Sequence, residues 1–297
     1  PRAIRARTIL RLTLAATAAV ALAGCASFSA DGGMSRVSQL TQERTGHPVA
    51  LQRDPQDAEA ARSRVAELLR TPLTADGAVE MALLNNRTLQ RQLGDVGVSE
   101  ADLVQAGRLR NPAISLGRLA GRGALEIDRS VMFDVLGLLT LPSRSRIAQG
   151  RFEQAQLQAA ADAVAIAQQA RQAYFDAVAA RQLEAYARQV MSAAEAADDL
   201  AKGMLRAGNV SKLDQMREQA FHADATARVA RSHQQALSGR ERLVRALGLG
   251  DEQAQLRLPE RLPDLPKDVA EPQDAEQAGL DKRLDVLMAR RDAEATA

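Results

Sequence analysis

The sequence contains no tryptophan, and aromatic residues account for only 2% of its 297 positions. A thick globular core usually depends on large aromatic side chains, so this composition argues against one. Alanine is abundant instead, and small side chains allow helices to pack closely. The composition therefore predicts long helices that pack against one another as a coiled coil.

Histidine and cysteine are also scarce, with three histidines and one cysteine. His222 and His233 are eleven residues apart on a predicted helix, which is about 16 Å and too far to share a metal ion. We interpret both, together with His47, as solvated surface side chains. Since no catalytic motif is found either, we predict no enzyme activity, no catalytic residue, no metal site and no cofactor. The single cysteine, Cys25, excludes an intrachain disulfide.

Residues 1–24 have the layout of a signal peptide. Four arginines precede an apolar run over 12–21, and the order Leu-Ala-Gly-Cys follows at 22–25. The run is shorter than the roughly 17 to 25 residues that a membrane-spanning helix needs, so we predict cleavage. Loss of the four arginines takes the net charge from +2 to −2. The mature chain therefore lacks the basic excess typical of nucleic-acid binding.

The segment 22–25 resembles the bacterial lipobox, in which the cysteine receives a diacylglyceryl group before cleavage. The resemblance implies that Cys25 carries a covalent lipid and becomes the first residue of the mature chain. Ala26 follows it, where an aspartate would favour the inner membrane, so the outer membrane is the expected location. The alternative is an ordinary secretory signal that ends with a chance cysteine.

Residues 25–72 are polar and interrupted by glycine and proline, which predicts a tether with one helical piece over 55–69. Thr74 is a helix-capping residue, and helical spacing of apolar residues then continues over 75–107. The period changes after Asn111-Pro112. Apolar and polar residues alternate over 111–140, which predicts a β-hairpin with one apolar face.

The polar face of this hairpin is predicted to carry Glu126, Asp128 and Asp134. Strands of this kind suit a membrane β-barrel, because lipid and water contact alternate residues. The three acidic side chains would then line the lumen and favour cations. Alternation alone fits equally well an exposed hairpin that packs on a soluble core.

A very long helix is predicted over 143–207, about 97 Å at the helical rise. Ala207-Gly208-Asn209-Val210 interrupts it, and Ser211 to Asp214 form a capping box that opens a second helix over 211–247. The two helices are expected to form an antiparallel hairpin. A proline-rich connector occupies 251–272, and a helical pattern returns over 273–297. Shifted by 197 residues, this pattern overlies the first helix and suggests the start of a second repeat.

Four segments of the chain resemble the TolC-like outer membrane efflux family, especially its lipoprotein members. Their order and spacing across residues 73–250 make the joint signal strong. The segments are Leu73-Thr74 with Ala78-Val79, Ala82-Leu83 and Asn85-Asn86; Arg110-Asn111-Pro112 before Leu116-Gly117; Ala173-Tyr174-Phe175-Asp176; and Ala207-Gly208-Asn209-Val210-Ser211 before Leu213-Asp214.

The resemblance implies a mainly α fold, in which a coiled-coil hairpin and a two-stranded β-hairpin contribute to a homotrimeric duct with a transmembrane β-barrel. It implies a passive route for exported small molecules or ions. An inner-membrane pump of the RND or ABC type would drive export through a periplasmic adaptor, which would dock at Gly208, Asn209, Val210 and Ser211. Each subunit of the family contains two repeats. This sequence departs from the family pattern, because it supplies one repeat and the start of another and therefore only two strands.

Because the sequence begins with Pro1 and stops inside a helical pattern, we expect a partial reading frame. The rival interpretation is a periplasmic coiled-coil scaffold or adaptor lipoprotein without a channel. An adaptor should have lipoyl-like or barrel strands beside its hairpin, and none is found in the sequence. The exported substrate is not encoded in any recognisable cluster of residues.

Overall fold

The computed structural model describes residues 27–121, 124–250, 256–265, 267 and 274–296. Cys25 and the predicted signal peptide lie outside the described residues, as does half of the connector over 251–272. The chain divides into two compact units. Unit 1 comprises residues 1–37, 93–159 and 280–297, and unit 2 comprises 38–92 and 160–279.

Eight helices and two strands are described, and they follow one another along the chain. The elements are α1 (Met34–Thr45), α2 (Pro55–Leu68), α3 (Ala75–Asn85), α4 (Arg87–Ala106), β1 (Ala113–Gly121), β2 (Ala124–Met132), α5 (Val135–Arg206), α6 (Lys212–Ala246), α7 (Ala275–Lys282) and α8 (Leu284–Thr296). Helices α4 and α5 contribute residues to both units. Among the described residues, no helix is both long and apolar enough to cross a membrane.

The sequence predicts one helical piece within residues 25–72, but the structure contains two, because α1 precedes α2. Asp31 accepts hydrogen bonds from the amides of Gly33 and Ser35, and these bonds hold the start of α1. The hydrogen bond from the Ser35 hydroxyl, followed by the one from the Ser35 amide, is the main reason that the pKa of Asp31 lies well below its ordinary range. Val37 and Thr41 of α1 are fully buried. The helix is therefore stabilised by packing, which its polar sequence does not reveal.

The helix predicted over 75–107 is two helices with a break at Asn86. The Asn86 backbone leaves the helical region, at ψ 110°, and its amide still donates to Ala82 O at the end of α3. Its side-chain Oδ1 then accepts from the amides of Thr88 and Leu89, at 2.9 and 3.2 Å. Asn86 therefore ends one helix and caps the next.

A second break, between α7 and α8, falls at the corresponding position. A shift of 197 residues takes Asn85, the end of α3, to Lys282, the end of α7. The same shift takes Arg87, the start of α4, to Leu284, the start of α8. The interrupted helix at the start of the first repeat thus recurs near the end of the chain.

The long helix α5 begins at Val135, eight residues before the predicted start at Ser143. Its 72 residues correspond to a length of about 108 Å at 1.5 Å per residue. Asp134 acts as its N-cap, since its Oδ1 accepts from the Gly137 amide at 2.7 Å. Pro142, which directly precedes the predicted start, lies inside the helix. The predicted helix over 211–247 is observed as Lys212–Ala246.

The core of unit 2 is formed by helices α2, α3, α5 and α6 together with the segment that follows α6. Six of its members are nearly inaccessible to solvent: Leu73, Met81, Tyr174, Val178, Leu243 and Leu247. Burial raises the pKa of Tyr174. Leu73 N donates to Arg257 O at 2.8 Å, which fastens the start of α3 to the segment beyond α6.

Gly248 closes this core at the end of α6. Its φ is +68°, and its amide donates to Arg245 O while Leu249 N donates to Val244 O. The Asn85 side chain donates to Gly248 O at 2.7 Å. A Cβ at Gly248 would lie 2.8 Å from Asn85 O, so both conformation and space require glycine.

Unit 1 contains the β-hairpin, the adjoining parts of α4 and α5, and the N-terminal and C-terminal segments. Ser29 donates from its amide and its hydroxyl to Oε1 of Glu100 on α4, at 2.7 and 2.5 Å. Gln156 of α5 donates to Gly33 O at 2.7 Å. Glu100 and Gln156 are both buried, so these bonds hold residues 29–33 against the helices of the unit.

Candidate functional site

The turn between α5 and α6 carries the predicted docking residues, and Gly208 determines its geometry. Gly208 has φ +75°. Its amide donates to Leu205 O at 3.0 Å, and Asn209 N donates to Met204 O at 2.9 Å. These two bonds form a Schellman motif, which satisfies carbonyl groups at the end of α5. Gly208 and Asn209 are exposed and Val210 is partly buried.

Ser211 completes the turn by opening α6. Its hydroxyl accepts from Asp214 N at 3.2 Å and lies 2.6 Å from Asp214 Oδ2, to which it donates. These bonds lower the pKa of Asp214. The carboxylate also lies near the positive end of the helix dipole. The structure therefore brings residues 208–211 together in one exposed turn with defined caps on both sides.

A buried carboxylate, Asp198, lies near this turn. Only 3% of its side chain is exposed. Lys202 Nζ lies 2.8 Å from Asp198 Oδ2, and Gln215 of α6 donates to Asp198 Oδ1 at 3.4 Å. His222 Nδ1, also on α6, is 3.6 Å from Asp198 Oδ2. The hydrogen bond from Lys202 is the main reason that the pKa of Asp198 is lowered.

A second carboxylate of α5 faces the other histidine of α6. Glu184 Oε1 lies 2.9 Å from His233 Nδ1 and 2.5 Å from Arg188 Nη2. The hydrogen bond with His233 is the main cause of the lowered pKa of Glu184, followed by the bond from Arg188. The interpretation of His222 and His233 as merely solvated side chains is therefore incomplete, because each faces a carboxylate on the neighbouring helix.

The sequence contains a pattern that predicts the burial of Asp198, which the sequence analysis did not identify. Ala187, Ala194 and Ala201 are buried at heptad spacing along α5. Asp198 lies four residues after Ala194, which places it on the same stripe. An acidic residue at such a position needs a partner, and Lys202 one turn further along supplies it.

The β-hairpin has a complete antiparallel register that runs from Ala113 opposite Met132 to Gly121 opposite Ala124. Directly opposed residues share a face, so the register sorts the side chains into two sets. One face carries the apolar residues together with two arginines: Ile114, Leu116, Arg118, Ile127, Arg129 and Val131. Its apolar members are well exposed, with 77% of Leu116 accessible to solvent.

The other face of the hairpin carries small and polar residues together with Met132, which lies opposite Ala113. Ser115 lies opposite Ser130, with 2.6 Å between their hydroxyl oxygens, and Asp128 lies opposite Gly117. The register also pairs Glu126 with Leu119, but the side chains of both lie outside the described part of the chain. Among the described side chains, the register brings Asp128 to this face, as the alternation predicts.

Asp134 does not belong to the polar strand face. Strand β2 ends at Met132, and Asp134 lies between the strand and α5. Its Oδ1 caps the helix, and its Oδ2 is 3.7 Å from Arg110 Nε. The assignment of Asp134 as a lumen-facing strand residue is corrected for this reason. Helix capping takes precedence because the orphan amides of α5 need an acceptor.

Among the described residues, no group of three or more histidine, cysteine, aspartate or glutamate side chains is placed to hold a metal ion. The sequence matches no protein-family model, and it matches no curated protein. The fold gives the informative comparison.

Solved structures of other proteins share this fold. A membrane protein from Pseudomonas aeruginosa matches with a TM-score of 0.60 and 24% identity over 74% of this chain and 55% of its own. CusC, whose structures concern folding and transmembrane channel formation, matches with a TM-score of 0.60 and 17% identity over 74% of this chain and 54% of its own. The outer-membrane channel OprN matches with a TM-score of 0.52 and 18% identity over 92% of this chain and 60% of its own.

The predicted resemblance to TolC-like outer membrane channels is therefore confirmed at the level of the fold. The chain spans slightly more than half the length of these three proteins. A shared fold does not by itself define an activity, because function depends on particular sites.

Proposed function

We propose that this chain is part of an outer membrane channel that provides a passive duct for export. The observation that carries the proposal is the fold shared with the channel OprN. In this chain, a β-hairpin exposes an apolar face next to a helix of 72 residues. Such an exposed apolar face is costly in water and favourable in a lipid bilayer. The polar face, with Asp128, would then contact the aqueous lumen.

We propose further that three copies form the duct. Helices α5 and α6 expose apolar side chains along one groove of about 340 Å³. Leu183, Tyr186 and Phe221 line it and are each about half exposed or more. An unpartnered apolar groove on a helical hairpin supports packing against a neighbouring subunit. The recurrent break at Asn86 and Arg283 supports the presence of a second repeat in the complete subunit.

The exposed turn at residues 208–211 is the proposed docking site for a periplasmic adaptor, which would connect the duct to an inner-membrane pump of the RND or ABC type. Support comes from its position between two capped helices, which presents a defined surface rather than a frayed loop.

A lipid on Cys25 is the proposed second membrane attachment. Ser29, four residues further along, is held by the buried Glu100. A tether that is fixed so close to the cysteine would keep the lipid near unit 1. Labelling with an alkyne fatty acid should modify the wild-type chain and not a Cys25→Ser variant. Equal labelling of both would refute the lipid attachment.

The channel proposal is tested by separating the membranes on a sucrose gradient, locating the full chain among the fractions, and cross-linking it chemically. We expect the chain in the outer membrane fraction and a cross-linked trimer. A folded chain that is recovered in the periplasm and gives no cross-linked trimer would contradict the proposal and favour a scaffold.

A further inference from the structure

A surface cavity of about 560 Å³ lies in unit 1, where the β-hairpin joins the helices. Three arginines contribute to its wall, from the segment before β1 and from α5. The polar lining residues are Asp102, Gln105, Arg108, Arg110, Asn111 and Arg144. The size is within the range of small-ligand sites, and the lining is rich in hydrogen-bond donors.

Arg144 carries the main observation. Its Nε and one Nη nitrogen are buried, and among the described residues neither has a hydrogen-bond partner. A guanidinium group stays charged under all physiological conditions, so these are buried donors of a cationic group. Leaving such donors unpaired is costly, and native proteins rarely do so. The side chain is therefore suited to an anionic acceptor that enters the cavity.

The acidic residues nearby do not meet this need. Asp102 lines the cavity, but it makes no hydrogen bond to either of these two Arg144 nitrogens. Asp134 Oδ2 approaches Arg110 Nε at 3.7 Å, which is beyond a hydrogen bond, while its other oxygen caps α5. Three guanidinium groups thus lie beside two carboxylates, that of Asp102 in the cavity wall and that of Asp134 next to Arg110. The charge balance favours an added anion.

We propose that this cavity is a binding site for a phosphoryl anion, with Arg144 as its central ligand and Arg108 and Arg110 at its rim. The planar fork of arginine matches two oxygens of a phosphate group, which a point charge such as lysine does not. The chemistry is shared by a free phosphate and by the headgroup of an anionic phospholipid.

The apolar surroundings argue for the headgroup as the source. Leu109 lines the cavity and is 53% exposed, and Phe133, next to Asp134, is 71% exposed. Exposed apolar residues beside arginines are typical of surfaces that contact the membrane interface. This choice of source rests on the proposed membrane insertion of the hairpin, whereas the anion site itself does not.

The test uses the full chain in detergent and measures equilibrium binding of three probes: short-chain phosphatidylglycerol, short-chain phosphatidylcholine and inorganic phosphate. The variants are Arg144→Gln, Arg144→Lys and, as a matched control, Arg146→Gln. Arg146 is two residues further along α5, is exposed, and lines a different cavity. Circular dichroism establishes that each variant is folded.

We expect phosphatidylglycerol to bind the wild-type chain more tightly than phosphatidylcholine does, since only the former has a net negative headgroup. Arg144→Gln should weaken its binding roughly tenfold, because a charge-assisted hydrogen-bonded pair is lost. Arg144→Lys should restore only part of this binding. Arg146→Gln should bind within about twofold of the wild type, since surface charges contribute little.

Inorganic phosphate separates the two sources. Phosphate binding that depends on Arg144 and equals that of phosphatidylglycerol supports the site with a free anion as its ligand. Much weaker phosphate binding supports the lipid headgroup. Two results would overturn the proposal: no binding of either anion by the folded wild-type chain, or an equal loss in Arg144→Gln and Arg146→Gln. Channel conductance is not measured in this experiment, so its outcome is independent of the duct proposal.

Discussion

Lys202 Nζ lies 2.8 Å from the buried carboxylate of Asp198, one helical turn away on α5. From the opposite helix, Gln215 and His222 also face this carboxylate. A buried charge without partners would be strongly destabilising, so this cluster fixes how α5 and α6 pair near their turn. The turn therefore lies beside a structural element whose charge can be changed by mutation or by acid.

The first prediction concerns replacement of Asp198 with asparagine, which removes the charge and keeps the shape. The lowered pKa means that the ionised form is stabilised by folding. This contribution is present above the ordinary aspartate pKa of about 3.9 and is lost as the pH falls through the lowered value. We expect Asp198→Asn to lower the free energy of unfolding at pH 7, and the difference from wild type to shrink below pH 4.

Urea unfolding, followed by circular dichroism at pH 7 and again below pH 4, measures the difference in the free energy of unfolding between Asp198→Asn and the wild type. Asp199→Asn is the matched control, because Asp199 is 71% exposed and also approaches Lys202. We expect little change in that variant. Equal effects of the two substitutions at pH 7 would argue against a special role for the buried carboxylate.

The second prediction concerns the pair Glu184 and His233, which joins the same two helices. A double-mutant cycle with Glu184→Gln and His233→Gln should give a coupling energy of about 0.2 to 1 kcal/mol at pH 6, the range for partly exposed ion pairs. Because His233 is half exposed, a larger value is not expected. Additive effects of the two substitutions would mean that the 2.9 Å contact contributes nothing to stability.

The third prediction separates backbone conformation from packing at the turn. A Cβ at either Gly208 or Gly203 would meet nothing within 4 Å, yet only Gly208 has a positive φ. Gly208→Ala should therefore destabilise the hairpin by about 1 to 2 kcal/mol, the cost of a left-handed conformation for alanine. Gly203→Ala, within α5, should stabilise by about 1 kcal/mol. Thermal unfolding of both variants gives the comparison, and equal effects would contradict the assigned turn.

The fourth prediction concerns the N-terminal segment. Glu100→Ala removes the acceptor for the Ser29 amide and hydroxyl, so hydrogen exchange at residues 29–34 should become faster. Glu100→Gln keeps a side-chain oxygen in place and should preserve most of the protection. Exchange followed by mass spectrometry distinguishes the two. Unchanged protection in Glu100→Ala would show that the segment is held by other contacts.

The sequence-based predictions succeeded where a local signal determines the structure. Ser211 is both a capping residue in the pattern and the observed N-cap of α6, and Gly208 supplies the left-handed turn. The alternation of apolar and polar residues predicted the hairpin and its two faces. These features depend on neighbouring residues, so a single sequence contains enough information to predict them.

The predictions failed where two local signals competed or where the partner is distant in sequence. Asp134 continues the strand alternation, yet its side chain is used to cap α5. Pro142 is a residue type that is common at helix starts, but α5 already begins after its N-cap Asp134, eight residues earlier. Asp198 has a hydrogen-bond partner on α6, which is distant in sequence. The two buried Arg144 nitrogens without a hydrogen-bond partner are a result of packing. Such arrangements require the tertiary structure.

The central claim is that the β-hairpin lies in a membrane with one face toward lipid and one toward water. Single cysteines at 114, 115, 116 and 117, which alternate between the two faces, can be treated with a charged thiol reagent in isolated outer membranes. The unsubstituted chain provides the background from Cys25. We predict strong labelling of Ser115→Cys and Gly117→Cys and little of Ile114→Cys and Leu116→Cys. Equal labelling of all four positions, as expected for a hairpin exposed to water, would contradict the claim.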